Sequence, residues 1–155
     1  MLRPIRRFVI RDRRSRNHAG RQSLPSNIRM SNILVIDDDN SICLLLQQGL
    51  EAQGHQVAVA TDGKKALAAH KIAPADLVIT DLIMPGMEGI ETIIEMRRRS
   101  PKVKIIAMSG GGMGKGTDYL QIAQKFGAHR TIAKPFTVRK LGQLVTEVLA
   151  ETPAG

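Results

Sequence analysis

From Ser31 onward the chain alternates short apolar runs with segments whose apolar residues recur every three or four positions. Ile33-Leu34-Val35-Ile36 has no polar interruption, as in a strand buried on both faces. Ile42, Leu45, Leu46, Gly49 and Leu50 then share the spacing of one helix face, with Asp39 or Asn40 as N-cap and Gly54 as stop. Val57 and Val59 alternate with alanine in a second strand, Gly63 to His70 reads as a short helix, and Leu77-Val78-Ile79 as a third strand. Met87, Ile90, Ile93 and Ile94 mark a third helix, closed by Arg97-Arg98-Arg99 and Ser100-Pro101. Cations suit a last turn, where they face the negative end of the helix dipole, so the triplet reads as a helix end and not a nucleic-acid site.

Val103 to Met108 predicts a fourth strand, followed by a glycine-rich stretch from Gly110 to Gly116 and a helix from about Thr117 to Phe126, stopped by Gly127. A fifth strand covers about Arg130 to Ala133. The last helix follows Pro135, with Thr137 as N-cap and Val138, Leu141, Val145 and Val148 as its buried stripe. Strict alternation of strand and helix with short loops implies an α/β fold, a parallel sheet covered by helices on both faces. With five strands the doubly wound order 2-1-3-4-5 is expected, and with it a functional crevice at the carboxyl ends of the strands.

Charge divides the chain. Residues 1–30 hold nine arginines and one acid, Asp12, for a net +8, while residues 31–155 carry only +1 of the total +9. Residues 1–30 are therefore a basic arm and 31–155 the globular domain. The arm has three readings: a targeting segment, rich in Arg and Ser; a polyanion-binding arm for nucleic acid or lipid; or sequence ahead of a true start at Met30. The single cysteine, Cys43, excludes an internal disulfide and a cysteine metal site, and fits a reducing, cytoplasmic setting. No apolar run approaches the ~20 residues of a membrane helix.

The strand ends carry the chemistry. Asp37, Asp38 and Asp39 follow strand one, Asp81 strand three, Ser109 strand four and Lys134 strand five. Singly, each has an ordinary structural reading as cap, turn residue or surface lysine. Together the topology brings Asp37, Asp38, Asp81, Ser109 and Lys134 to one edge. Clustered carboxylates repel unless a cation intervenes, and Mg²⁺ takes one or two carboxylates while leaving room for phosphate oxygens. A lysine and a hydroxyl would complete a site for phosphoryl transfer to a carboxylate nucleophile, with Asp81, central in the sheet, as the acceptor.

Leu34-Val-Ile-Asp-Asp, Asp81-Leu-Ile-Met-Pro-Gly-Met-Glu-Gly, Ser109 and Lys134-Pro-Phe together resemble the receiver domain of two-component response regulators, over about Asn32 to Leu149. The resemblance implies a flavodoxin-like fold and phosphorylation of Asp81 by a histidine kinase or histidine phosphotransfer protein. It implies Mg²⁺ on Asp38, Asp81 and the backbone carbonyl of Ile83, with Asp37 nearby or acting through water. Ser109 and Lys134 would grip the phosphoryl oxygens, and the Lys134–Pro135 peptide would be cis. With few residues after Leu149, the expectation is a stand-alone domain that signals by protein binding through helix four, strand five and helix five. Catalysis would be limited to self-phosphorylation from a phosphodonor and slow self-dephosphorylation, since Ile83 and Gly111 offer no side chain to orient water.

Thr131 departs from the family's pattern, standing where an aromatic partner of the serine switch is usual, and the Gly110–Gly116 stretch is long and expected to order on phosphorylation. A P-loop is excluded because Ser109 takes the place of its first glycine and Gly116 that of its Ser/Thr. His18, His55, His70 and His129 lack metal-ligand spacing. A phosphatase built on Asp81 would need a second acid two residues on, where Ile83 stands. The competing functions are a phosphate-independent interaction module and a nucleic-acid binder driven by the arm, the domain itself offering no nucleic-acid site.

Overall fold

A computed structural model describes residues 29–84, 89–110 and 115–152, the side chains of 115–117 excepted. Ten elements alternate: β1 (Asn32–Ile36), α1 (Asn40–Ala52), β2 (Gln56–Ala60), α2 (Gly63–Ile72), β3 (Leu77–Asp81), α3 (Gly89–Arg99), β4 (Lys104–Ser109), α4 (Lys115–Lys125), β5 (Arg130–Ala133) and α5 (Val138–Ala150). The sheet is parallel throughout and ordered β2-β1-β3-β4-β5, as the alternation required. No described helix is long and apolar enough to cross a membrane.

The central strands separate two cores. Leu34, Ile36, Val78, Ile105 and Ala107 pack with Leu67, Ile93, Met96 and Ala123, under α2, α3 and α4. Their neighbours along the same strands, Ile33, Val35, Ile79, Ile106 and Met108, pack with Leu46, Leu50, Leu141 and Val145, under α1 and α5. Side chains on a strand alternate between faces, so an uninterrupted apolar run is what feeds both layers.

Caps fix where the helices begin. Asp39 accepts from Ser41 N–H at 2.8 Å, Asp62 from Lys65 N–H at 2.8 Å and Thr137 from Lys140 N–H at 3.1 Å. Gly54 and Gly127 stop α1 and α4 in the left-handed region, with φ of 95° and 118°. Arg97 donates to the carbonyls of Pro101 (2.7 Å) and Val103 (3.1 Å), and Arg98 and Arg99 both reach Glu95, so the triplet closes α3 as expected.

Some expectations shift. Leu45 and Ile94 are exposed, because the buried stripes run through Cys43, Leu46 and Leu50 in α1, and through Thr92, Ile93 and Met96 in α3. One step of about 100° around a helix turns Leu45 away from Leu46. β4 begins at Lys104 and α4 at Lys115, so Lys115 and Gly116 belong to the helix and not to the glycine-rich loop. Met87, Gly111 and residues 112–114 lie outside the described residues, as do residues 1–28 of the basic arm.

Gly89 ties α3 to the end of β3. A Cβ at this position would stand 2.1 Å from the Asp81 carbonyl oxygen and 2.5 Å from Leu82 Cα, both backbone atoms with nowhere to go. Replacement of Gly89 by alanine should therefore cost about 2 kcal/mol or more by overpacking and displace Asp81. Chemical denaturation measures the first effect; a stability within a few tenths of wild type would show that the α3 start yields freely.

Three histidines crowd the opposite end of the sheet. His70 Nδ1 accepts from Ala75 N–H and His129 Nδ1 from Ile105 N–H, each at 3.1 Å, and His55 is buried. Burial lowers the pKa of all three, for His129 with help from Arg97. A folded-state pKa below the unfolded value gives stability that is present above the unfolded pKa and lost as pH falls. Stability should decline as pH drops below about 6.5, the ordinary histidine value, and His70→Gln should flatten that decline, measured by urea denaturation at a series of pH values.

Candidate functional site

Parallel strands deliver their last residues to one edge. Asp81 ends β3 and pairs in register with Met108, Ser109 ends β4 and pairs with Ala133, and Lys134 follows β5 directly. Asp37 follows β1, its N–H donating to the Ala60 carbonyl of β2 at 3.2 Å. The Lys134–Pro135 peptide is cis. The Lys134 N–H donates to the Ser109 carbonyl at 2.8 Å, which anchors the lysine backbone to the end of β4.

Asp37, Asp38 and Asp81 each offer a carboxylate oxygen within 4.8 Å of the others. Asp37 and Asp81 are buried, at 1% and 6% exposure, whereas Asp38 faces solvent. Lys134 Nζ donates to Asp37 Oδ2 at 2.8 Å and lies 3.5 Å from Asp81 Oδ1. Asp37 Oδ1 accepts from Asp39 N–H at 2.9 Å, and Asp81 Oδ1 from Leu82 N–H at 3.0 Å. Burial raises the Asp81 pKa, and the nearby charge of Asp37 adds to this, against the pull of Lys134 and the Leu82 N–H. For Lys134, burial alone would lower the pKa, but the Asp37 hydrogen bond and the two carboxylate charges outweigh it and the net direction is up.

Ser109 Oγ is buried and has no hydrogen-bond partner among the described residues. A buried hydroxyl left unpaired costs free energy, and this one ends β4, in register with Ala133 just before Lys134. The donor set is all oxygen, one carboxylate is solvated, and a single lysine serves two buried acids. These properties fit a hard divalent cation that keeps part of its water shell.

Every side chain singled out at the strand ends is thus at one edge, with Asp39 serving only as the α1 cap. Ile83 follows Asp81 by two residues, and its side chain is half-exposed. Thr131 is half-buried on β5, in register with Ala107. Two contacts have no signal in the residue pattern. Lys134 is engaged by Asp37 more closely than by Asp81, and the Cys43 thiol donates to the Asp37 carbonyl at 3.2 Å, where burial pushes it up to about 11. Cys43 sits in a helix stripe that leucine spacing alone did not reveal.

Lys134→Met leaves two buried carboxylates without their counter-charge and should cost about 2 kcal/mol near neutral pH, below a fully buried pair because the lysine is partly solvated. A raised Asp81 pKa means that the folded state takes up the proton more readily, so the loss should shrink as pH falls toward 5. Urea denaturation in chelator at both pH values reads this; equal losses would mean that Lys134 does not balance these acids.

A family model described as the response regulator receiver domain matches residues 33–146. Sporulation initiation phosphotransferase F of Bacillus subtilis is 32% identical over 117 residues, covering 76% of this chain and 92% of that protein. Transcriptional regulatory protein ZraR of Klebsiella oxytoca is 37% identical over 120 residues, 77% of this chain but 26% of the relative. The chain thus spans about a quarter of the length of ZraR and nearly all of the sporulation protein. Among solved structures, the receiver domain of NtrX from Brucella abortus superimposes with a TM-score of 0.73 at 29% identity, covering 77% of this chain and 99% of that one. With the family model across most of the chain, the five-stranded fold and the acid–lysine edge in agreement, this protein belongs to the response regulator receiver domain family, a class of phosphorylation-activated switches.

Proposed function

We propose that Asp81 accepts a phosphoryl group from a histidine kinase or histidine phosphotransfer protein, and that the modified domain signals by binding a protein target. The observation that carries this is the edge itself: three carboxylates within 4.8 Å of one another, with Lys134 Nζ 3.5 Å from Asp81. In the reaction an Asp81 carboxylate oxygen attacks phosphorus, a P–O bond forms, and the P–N bond of the phosphohistidine breaks with its electron pair returning to the imidazole. Asp38, Asp81 and the Ile83 carbonyl, with Asp37 nearby or acting through water, would hold Mg²⁺, which would supply positive charge to the transferring group.

The chain's own residues do the rest. Lys134 carries three donors and can turn one toward a phosphoryl oxygen while holding Asp37. Ser109 Oγ, without a hydrogen-bond partner among the described residues, donates to a second oxygen. The strands hold Asp81 rigidly, which preserves the alignment that phosphoryl transfer requires. Ile83 places a hydrocarbon beside the site, so attacking water finds no side-chain partner there and self-dephosphorylation is slow. On the output side, Tyr119 and Ile122 stand exposed on α4, next to β5, an apolar start for the α4–β5–α5 target surface.

Intact mass after incubation with a small phosphodonor tests the reading. Wild type should gain one phosphoryl group in Mg²⁺ and none in chelator, and Asp81→Asn should gain none in either. Addition to Asp81→Asn, or to wild type without the metal, would place the chemistry elsewhere. Failure to modify under any condition would favour a phosphate-independent interaction module.

A further inference from the structure

β3 reads Leu77-Val78-Ile79-Thr80-Asp81, an apolar run whose last position before the acid is filled by a hydroxyl. Thr80 is fully buried. It stands in register with Ile36 of β1 and Ala107 of β4, both members of the core under α2, α3 and α4. Valine has almost the same shape and would bring no polar group to satisfy, so burial alone does not account for a threonine here. The hydroxyl has a specific partner: Thr80 Oγ1 donates to the Asp81 backbone carbonyl at 3.0 Å.

That carbonyl belongs to the peptide unit between Asp81 and Leu82, and the other end of the same unit reaches the site. The Leu82 N–H donates both to the Met108 carbonyl of β4 and to Asp81 Oδ1, each at 3.0 Å. Oδ1 also has Lys134 Nζ at 3.5 Å, whereas Oδ2 takes no hydrogen bond among the described residues. The two oxygens of the acceptor carboxylate are thereby made unequal. A peptide unit is planar, so turning its carbonyl turns its N–H with it. At the carbonyl end Gly89 crowds the Asp81 oxygen without bonding it, its own N–H going to the Leu82 carbonyl at 3.2 Å. The side-chain contact that directs this end is the Thr80 hydroxyl.

We infer that Thr80 is a positioning residue for the phosphoacceptor: its hydroxyl sets the plane of the Asp81–Leu82 peptide, and through the Leu82 N–H it fixes which carboxylate oxygen is tied and which is open to phosphorus. This rests on Asp81 as the acceptor and goes beyond it by naming what orients the carboxylate. Alignment of the attacking oxygen carries much of the rate of such a transfer, so a residue that touches neither the phosphoryl group nor the metal acts through geometry. Without the hydroxyl the buried carbonyl loses a donor, and the peptide turns to recover one.

The test compares the full chain as wild type, as Thr80→Val, which removes the hydroxyl at nearly constant shape, and as Thr80→Ser, which keeps it. Two quantities are read: the rate of phosphodonor labelling in Mg²⁺, and amide hydrogen exchange at Leu82 relative to Val78 and Ile79 of the same strand. A loss of global stability would move all three amides together. Thr80→Val should speed exchange at Leu82 severalfold over its strand neighbours and slow labelling about tenfold. Thr80→Ser should restore most of both. Wild-type labelling in Thr80→Val overturns the inference, and so does slower labelling with Leu82 exchange unchanged relative to its neighbours. A Thr80→Ser protein as slow as Thr80→Val overturns it too, because shape and not the hydroxyl would then matter. If the wild type takes up no phosphoryl group, the acceptor reading fails by itself, and Leu82 exchange alone decides whether Thr80 holds this peptide.

Discussion

The structure depends on one electrostatic constraint, two carboxylates buried side by side with a single lysine between them. Asp37 and Asp81 come from adjacent strands and cannot separate without breaking the β1–β3 ladder. Lys134 arrives from the far side of β4, and its ammonium sits against both acids, opposing the burial that raises the Asp81 pKa. The balance is incomplete, one cation against two buried anions and a third at the surface. That shortfall gives the edge its affinity for further positive charge and, once this is present, for a phosphoryl group.

Backbone contacts set the positions of Asp81, Ser109 and the Lys134 main chain. The ladders set the heights of Asp81 and Ser109, the Lys134 N–H is bonded to the end of β4, and Gly89 lets α3 press against the Asp81 carbonyl. The side chains are short except for the lysine, whose three donors would let it reach a phosphoryl oxygen without releasing Asp37.

Much of this was legible in the sequence because strands buried on both faces announce themselves as unbroken apolar runs, and the polar residue ending each run then falls at one edge by topology alone. The caps Asp39 and Thr137 were legible for the same local reason. The failures share a cause. Leu45 and Ile94 are as apolar as their buried neighbours, and only the packing of a particular helix face against a particular strand decides which of two adjacent residues turns inward. Likewise, no spacing rule couples Lys134 to Asp37, 97 positions apart in the chain. Their pairing follows from three-dimensional proximity and from the need of a buried acid for a partner.

The charge distribution along the strand direction is the last consequence of the topology. In a doubly wound sheet every helix begins at the strand carboxyl edge and ends at the opposite one, so the helix dipoles align. Acids are favoured near the helix starts and cations near the ends. Asp37, Asp38, Asp39, Asp62 and Asp81 gather at the first edge, while Lys71, Arg98, Arg99 and Lys125 close helices at the second. The same preference that stabilises each helix therefore builds a polarised molecule. Phosphorylation at this edge would add negative charge where acids already gather, with Lys134 the cation beside Asp81 and with Lys64, Lys65, Arg139 and Lys140 in helix first turns at the same edge.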